Sequence, residues 1–249
     1  MKTILDVRNL SKRFEDTQVL NDITFQVGEG EFIAIMGPSG SGKSTLLYCI
    51  SGMDRPTSGS VLFSGRDIAE LDDEKMSEIR LNQMGFIFQH SYLLKNLSVR
   101  DNIVLPGFKS GKRPREEVNQ DAHALMEKTG IANVAEYDIK KISGGQLQRA
   151  AICRALINRP DVLFGDEPTG ALNSGASKEV MDIINKINGE GKTVILVTHD
   201  AKVAARADRV VFLMDGDIHD QLTLGKYDGS ETESRREKRL SEWLEAQGF

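Results

Sequence analysis

The residues with the clearest chemical pattern in this chain lie in the stretch IAIMGPSGSGKSTLL, residues 33–47. Its Gly, Gly, Lys and Ser at 37, 42, 43 and 44 match the phosphate-binding pattern G-x-x-x-x-G-K-[ST]. Glycines let backbone N–H groups turn inward around phosphate oxygens, and the next helix presents the positive end of its dipole. A flexible Gly/Ser linker is disfavoured by the strand predicted before the loop and the helix predicted after it. We predict nucleotide contacts from Gly37, Ser39, Gly40, Ser41, Gly42, Lys43, Ser44 and Thr45.

An acidic pair follows an apolar run in the segment VLFGDE, residues 162–167. Magnesium prefers carboxylate oxygens and usually keeps several waters, so we predict that Asp166 faces a magnesium ion that Ser44 also ligates. Glu167, one residue further, is predicted to polarise an attacking water as a general base. Taken alone, Asp-Glu after a strand is more often a solvated turn. The phosphate-binding loop upstream reverses that preference.

A third pattern, ISGGQ at residues 142–146, precedes a strongly helical run, LQRAAICRALI. Ser-Gly-Gly at the start of a helix supplies backbone N–H donors, which predicts a second anion site. On its own the same pattern indicates an ordinary helix N-cap with a permissive turn.

Composition limits the class of protein. The 249 residues suffice for one large α/β domain or two intimate subdomains, with 39% hydrophobic and 28% charged residues. A net charge of −5 lacks the basic footprint of a nucleic-acid-binding protein, so no nucleic-acid partner is expected. Cys49 and Cys153 lie in apolar helical patterns and are predicted to be reduced core residues, as in a cytosolic protein. The longest apolar runs are strand-sized, so we expect another chain to supply any membrane spans.

Alternating strand and helix patterns on both sides of a helical insert predict an α/β fold. We expect a P-loop NTPase core with a mainly parallel sheet, an N-terminal antiparallel β subdomain and a helical subdomain at about 90–160. The predicted strands are 4–7, 19–27, 31–36, SVLF within 59–65, 84–88, 162–166, 193–198 and 209–216. The predicted helices are 43–51, 72–83, 98–105, 114–129, 143–158, 174–188 and 200–207.

The predicted domain boundary lies near residue 225. Residues 1–225 are expected to form a single domain, and 226–249 a charged C-terminal extension. Leu240, Trp243 and Leu244 fall on one helical face, which predicts an amphipathic helix. We expect it to dock on the protein's own surface or on a dimer mate, with a contact to a partner or a membrane as the alternative.

The order of these motifs resembles that of the ATP-binding cassette (ABC) ATPases over about residues 3–220. ISGGQ is similar to the family's signature sequence, with Ile142 where Leu is commonest. Gln89, after MGFIF, is similar to the Q-loop glutamine, and His199, in ILVTHD, to the switch histidine. Phe14 stands where an aromatic residue stacks on adenine, although a core aromatic would give the same pattern. His90, His123 and His219 have no partnering pattern and are predicted to be surface or core residues.

The resemblance implies ATP and Mg²⁺ as cofactors and ATP hydrolysis as the activity. It assigns catalytic roles to Lys43, Gln89, Glu167 and His199, and metal contacts to Ser44, Gln89 and Asp166. It also implies a head-to-tail homodimer with two sandwiched ATP molecules. In that dimer the site of each copy is completed by the other copy's Ser143, Gly144, Gly145 and Gln146.

One departure from the family pattern lies in the D-loop. The family usually has Asp after Ala-Leu, whereas this chain has Ala171-Leu172-Asn173. Asn keeps an acceptor oxygen and removes a negative charge near Glu167 and the second subunit. Hydrolysis is expected to survive, and the coupling between the two sites is put in doubt.

The resemblance extends to MGFIFQ, NLSVRDNIVLP and GDEPTGALNS, which are similar to the macrolide-efflux, lipoprotein-releasing, cell-division and bacitracin-resistance group. It implies the ATPase subunit of a bacterial transporter at the cytoplasmic face of the membrane, bound to a separate permease. The Gly-Ala-Leu-Asn form and charged tail favour antimicrobial-peptide resistance, with a sensor kinase reached through the permease. The segment 92–99 resembles the surface that receives a permease's coupling helix, with packing inside the subdomain as the alternative.

Two alternatives stay open within this group: a cell-division type ATPase that regulates without transport, and a lipoprotein-releasing ATPase. A soluble cassette ATPase of DNA repair or translation is disfavoured. The chain has one cassette, no long coiled coil and no basic patch.

Overall fold

The computed structural model describes residues 2–248, apart from the side chains of residues 230–232. The chain divides into two compact units. The first unit comprises Met1–Met76 and Asn188–Phe249, and the second comprises Ser77–Ile187. Within the described residues, no helix is both long enough and apolar enough to cross a membrane.

The elements alternate as an α/β protein requires. The strands are β1 (Thr3–Phe14), β2 (Thr17–Gly28), β3 (Phe32–Met36), β4 (Ser58–Phe63), β5 (Arg66–Asp67), β6 (Met84–Phe88), β7 (Val162–Asp166), β8 (Thr193–Val197), β9 (Arg209–Met214) and β10 (Asp217–Thr223). The helices are α1 (Lys43–Ile50), α2 (Asp73–Gln83), α3 (Val99–Ser110), α4 (Arg115–Lys128), α5 (Gly144–Leu156), α6 (Ser174–Gly189), α7 (Ala201–Ala204) and α8 (Ser230–Ala246). Short 3₁₀ helices occupy Ala132–Val134 and Ile139–Lys141.

The N-terminal part of the first unit is an antiparallel sheet with strand order β2-β1-β4-β5. The predicted N-terminal strands were too short, because β1 continues to Phe14 and β2 begins at Thr17. The polar run from Arg8 to Arg13 hid this continuation. Cross-strand pairing sustains it, with Lys12 opposite Leu20 and Phe14 opposite Thr17.

The second sheet of the first unit centres on β3, which pairs in parallel with both β8 and β9. Every residue of β3 and β8 is buried, as expected for parallel strands covered on both faces. The edge strand β10 pairs antiparallel with β9 and was not predicted, because its alternating exposed residues are mostly polar. The helix predicted at 200–207 is also shorter, since α7 ends at Ala204.

The second unit joins the parallel pair β6–β7 to a group of helices. Helices α3, α4 and α5 share a core of buried side chains. Its members include Val99, Ile103, Val104, Val118, Ala122, Met126, Ala150, Cys153 and Ile157. The helix predicted to end before Pro106 instead runs on to Ser110, because burial in this core outweighs the lost backbone hydrogen bond.

The C-terminal helix α8 packs on the first unit. Leu240 and Leu244 are buried, and the Trp243 indole donates to Asp220 Oδ2 at 2.9 Å. Arg236 donates to backbone oxygens on two segments, namely those of Ala205, Ala207, Leu224, Gly225 and Lys226, at 2.6–3.4 Å. Burial lowers the pKa of Arg236 from its ordinary value, and these acceptors compensate the buried charge. The helix therefore docks on its own unit, whereas the domain boundary near 225 stays a prediction.

We predict that Arg236→Ala lowers the free energy of unfolding by about 2–4 kcal/mol, because it leaves the buried carbonyl groups of Ala205 and Ala207 without this donor. Urea denaturation followed by circular dichroism measures this change. The matched control is Arg235→Ala, since Arg235 is exposed on the same helix. Equal stability of the two variants would contradict the anchoring role of Arg236.

Candidate functional site

The predicted phosphate-binding loop leaves the carboxyl end of β3 and enters α1. Its first residue, Gly37, has φ 150°, and a Cβ there would lie 1.9 Å from the carbonyl oxygen of Leu213. No other residue fits that approach without moving β9. Gly42 is the N-cap of α1, so the first N–H groups of this helix face the loop. The local fold is the cradle that a phosphate group needs.

Two buried polar side chains line this loop. Lys43 is only 9% exposed, and its Nζ donates to the carbonyl oxygen of Pro38 at 2.7 Å, on the opposite side of the loop. The Ser41 hydroxyl oxygen is buried with no hydrogen-bond partner among the described residues. A buried hydroxyl without a partner is costly, and an anion in the loop would satisfy it. The residues present therefore fit a bound phosphate.

His199 belongs to the same unit as the loop. It follows Thr198, whose N–H donates to the Ile35 carbonyl oxygen at 3.1 Å at the end of β3. The carboxyl ends of β3 and β8 are therefore neighbours, and His199 is exposed there. Asp200 caps α7 by accepting from the Lys202 N–H at 2.8 Å, which fixes the backbone directly after the histidine.

Phe14 lies at the end of the β1–β2 hairpin. Its ring is 47% exposed, so the alternative of a core aromatic is wrong. Lys12 Nζ lies 4.6 Å from the ring centroid and is itself bonded to Asp54 at 2.8 Å. Further along β2, the Val19 carbonyl oxygen packs against Gly42. The exposed ring is therefore carried by the same strand pair that contacts the loop.

In the second unit the structure brings Gln89 and Glu167 together. Each follows one strand of the β6–β7 pair, in which Phe88 lies opposite Asp166. A methyl group added at Gly170 would lie 3.1 Å from Gln89 Nε2 and 3.1 Å from Glu167 Oε2. Glu167 has φ 47°, a left-handed conformation that is uncommon for a non-glycine residue. Backbone outliers of this kind concentrate at functional sites.

Ser143 and Gln146 form a capping box at the start of α5. Ser143 Oγ accepts from the Gln146 N–H at 3.3 Å, and Gln146 Oε1 accepts from the Ser143 N–H at 2.9 Å. The exposed Gly144 and the half-buried Gly145 follow the cap. The two side chains of the motif thus hold the helix start, and the glycines leave its backbone accessible.

The D-loop departure has a local structural role. Asn173 Oδ1 accepts from the Ala176 N–H at 2.9 Å, so Asn173 caps the start of α6. Asn and Asp are equally good N-caps, and the substitution therefore preserves this end of the helix.

The described residues contain no group of three or more His, Cys, Asp or Glu side chains that could hold a metal. Magnesium bound with a nucleotide needs no such cage, because phosphates and waters supply most of its ligands. The Ser44 hydroxyl, the Asp166 carboxylate and the Gln89 amide oxygen are the hard oxygen donors that Mg²⁺ prefers. Each of these side chains is therefore of a chemical type that suits the ion.

Two features of the second unit were missed or left open by the sequence. Gln148 is buried and donates to backbone oxygens on both sides of the Gln89–Glu167 pair, for which one sequence carries no signal. Large apolar side chains are also exposed. They are Tyr92, Leu94, Leu105 and Tyr137. Tyr92 and Leu94 lie on one short segment after Gln89, and we call these two side chains the apolar patch. Of the remaining histidines, His90 and His219 are exposed, and His123 lies 3.3 Å from Glu127.

Comparison with known proteins gives one family. The family model described as ABC transporter matches residues 20–170. The ATP-binding protein YvrO of Bacillus subtilis is 43% identical over 219 residues, covering 86% of this chain and 95% of that protein. The lipoprotein-releasing system ATP-binding protein LolD of Leptospira interrogans is 41% identical, and the match covers 86% of this chain and 90% of that protein.

Longer relatives match over part of their length only. The macrolide export ATP-binding/permease protein MacB of Rhodopseudomonas palustris is 44% identical, covering 88% of this chain and 34% of that protein. The chain thus spans about a third of such fused relatives.

Among solved structures, the dimeric ATP-binding cassette MJ0796, in a post-hydrolysis state with ADP and Pi bound, is 35% identical to this chain, with a TM-score of 0.81. The structural match covers 90% of this chain and 100% of that chain. This chain belongs to the ABC transporter family and is one of its ATP-binding, ATP-hydrolysing cassettes.

Proposed function

We propose that this ATPase drives a membrane permease on a separate chain. The transporter would export antimicrobial peptides or antibiotics, or would confer resistance to them. The observation that carries the proposal is that one segment of the second unit joins Gln89 to the apolar patch. Gln89 precedes Tyr92 and Leu94, whose side chains are 67% and 47% exposed. A residue proposed to contact the magnesium ion and the attacking water would therefore lie three residues before a surface suited to a partner helix.

The nucleotide would be bound by residues of the first unit. Backbone N–H groups of the loop and Lys43 are proposed to bind the phosphates, with Phe14 stacking on the adenine. Ser39, Gly40, Ser41 and Thr45 would contribute the remaining loop contacts. His199 would donate a hydrogen bond to the γ-phosphate. These are positioning and charge-neutralising roles, which dominate phosphoryl transfer.

Hydrolysis would need a base and a magnesium ion. The ion would be held by Ser44, Asp166 and Gln89, and it would neutralise charge on the phosphates. Glu167 is proposed to accept a proton from the attacking water, with Gln89 orienting that water. The convergence of the two side chains on Gly170 supports this division of roles.

The complete site would require two copies of the chain. We propose a head-to-tail homodimer in which Ser143–Gln146 of one copy closes over the ATP of the other. Accessible backbone at Gly144 and the positive end of α5 suit an anion there. Dimeric MJ0796 provides a precedent among relatives. A monomer would then bind ATP and hydrolyse it poorly.

The permease would hold the ATPase at the cytoplasmic face of the membrane. Similarity over 95% of YvrO and 90% of LolD supports a permease on a separate chain, although fused MacB proteins combine both parts. A sensor kinase would be reached only through that permease. The macrolide exporter supports an antibiotic substrate.

A second candidate function is lipoprotein release, which the similarity to LolD favours. A cell-division type regulator is the third. Gene neighbourhood separates them. A ten-span permease with a large extracellular domain beside a sensor kinase favours peptide resistance, and a four-span neighbour favours the division role. Co-purification with the permease, followed by a screen for compounds that stimulate ATP hydrolysis, would identify the substrate class.

We predict that Lys43→Ala weakens ATP binding by roughly 10- to 100-fold, because a charge-assisted hydrogen bond contributes about 1.5–3 kcal/mol. Isothermal titration calorimetry with ATP and magnesium measures the dissociation constant. Lys238→Ala, which removes an exposed lysine on α8, is the control. An unchanged dissociation constant in a folded Lys43→Ala protein would count against the loop assignment.

Glu167→Gln is expected to retain ATP binding and to lower turnover by about 10²- to 10⁴-fold, because the amide cannot accept the proton. The same variant should accumulate as an ATP-bound dimer, seen by light scattering after size exclusion. Glu70→Gln, at an exposed position of the first unit, is the control and should keep full activity. Wild-type turnover in Glu167→Gln would remove Glu167 as the base.

Combining Tyr92→Ala with Leu94→Asp is predicted to weaken co-purification of the permease at least roughly tenfold, because it removes the exposed anchors of the patch. ATP hydrolysis by the isolated protein should stay within about twofold of wild type. Met53→Asp changes an apolar residue of the first unit that is 41% exposed and serves as the control. Unchanged permease recovery in the double variant would refute the docking surface.

A further inference from the structure

We propose that Gln148 is a positioning residue for ATP hydrolysis. Its side-chain amide holds the backbone next to Gln89 and the backbone next to Glu167 in fixed positions relative to α5, the helix that begins with the signature motif. The inference rests on the roles proposed for Gln89 and Glu167. It concerns residues of the second unit alone, and Gln148 itself would touch neither nucleotide nor metal.

The side-chain amide of Gln148 donates two hydrogen bonds. Its side-chain nitrogen donates to the Phe88 carbonyl oxygen at 2.8 Å and to the Pro168 carbonyl oxygen at 2.7 Å. The residue is 2% exposed, so water does not compete for these bonds. A primary amide has two N–H donors, and both are used. Of the side chains of this length, only glutamine offers such a neutral double donor.

The two acceptors flank the proposed catalytic pair. Phe88 directly precedes Gln89, and Pro168 directly follows Glu167. Each bond therefore restrains one residue of the pair through its neighbour. Because the two side chains converge on Gly170, a shift of either carbonyl group would change their separation. A single amide thus sets the spacing of both groups.

The same helix holds the other side of Gln89. Arg154, also on α5, donates to the carbonyl oxygens of Ser91 at 2.8 Å and Tyr92 at 2.7 Å. Burial lowers the pKa of Arg154 from its ordinary value, as expected for a guanidinium held against protein rather than water. The segment 88–92 is therefore anchored to α5 at both ends, with Gln89 between the anchors.

Helix α5 also carries the signature motif at its start. The capping box at Ser143 fixes the first turn, and Gln148 lies only about one and a half turns further along. A rigid helix of this kind transmits a displacement of its N-terminus to its side chains. When Ser143–Gln146 bind the opposite nucleotide, as proposed, Gln148 would carry that event to Gln89 and Glu167.

The direct test compares Gln148→Met with wild type. Methionine has a similar size and flexibility but no donor, so both carbonyl groups lose their partner. We expect kcat to fall roughly 10- to 100-fold, the cost of a misplacement of about 1 Å in a catalytic group. The dissociation constant of the monomer for MgATP should change by less than about threefold, since the phosphate-binding loop and Lys43, which Gln148 does not contact, lie in the first unit.

Two further variants separate positioning from stability. Ile152→Val lies on the same helix at a fully buried position and costs about 0.5–1.5 kcal/mol of stability without touching either carbonyl group. It should keep wild-type kcat. Gln148→Asn keeps the amide on a shorter stem and covers the case in which Gln148→Met does not fold. It should show the same loss of kcat at constant MgATP affinity.

The outcomes are distinct. Wild-type kcat in Gln148→Met overturns the inference, as does an equal loss of kcat in Ile152→Val, which would mark a general stability effect. If Glu167→Gln is inactive while Gln148→Met is fully active, the proposed base stands and only the inference fails. Full activity in Glu167→Gln would instead refute the proposed function on which the inference rests.

Discussion

The phosphate-binding loop depends on one close approach of backbone to backbone. Parallel pairing of β3 with β9 brings the Leu213 carbonyl oxygen against Gly37, where any side chain would clash. Because β3 is buried on both faces, it cannot shift to relieve such a clash. The glycine therefore sets the direction in which the chain leaves the strand. That turn positions the backbone N–H groups of the loop, the buried side chain of Lys43 and the hydroxyl group of Ser41.

The second unit uses buried polar side chains where the first uses close packing. Gln148 and Arg154 bond backbone carbonyl groups on either side of Gln89, and Asn102 does the same further on. Asn102 accepts from the Leu94 N–H at 2.6 Å and donates to the Leu94 carbonyl oxygen at 3.1 Å. Such bonds are modest in net free energy but costly to break, since each leaves an unpaired buried group. They hold irregular backbone in one conformation, which a catalytic segment and a docking surface both require.

The C-terminal helix extends the same principle to the first unit. Arg236 bonds carbonyl groups at Ala205 and Ala207, a short distance after α7 and His199. Arg206 pairs with Glu233 of α8 at 2.7 Å. The segment that follows His199 is therefore held against α8 by these hydrogen bonds and this ion pair. A charged extension that is mostly polar in sequence thus has a defined structural task.

Local spacing and apolar runs in the sequence determined much of this protein. The loop at 37–44, the Asp166–Glu167 pair and the α/β alternation could be predicted, because a few neighbouring residues define each of them. Cross-strand pairing decided the true length of β1 and the existence of β10, since the last part of β1 and the whole of β10 are mostly polar and are stabilised by a partner strand. The helical core decided that α3 continues past Pro106.

Only the tertiary structure revealed Gln148, whose two acceptors lie 60 and 20 residues away along the chain. A glutamine inside a helical pattern is usually a solvated residue. Its role follows from which carbonyl groups the fold brings to it, and that information resides in burial rather than in spacing. The sequence alone therefore determines which chemistry the loop can perform, whereas long-range packing decides which buried side chains hold that chemistry in position.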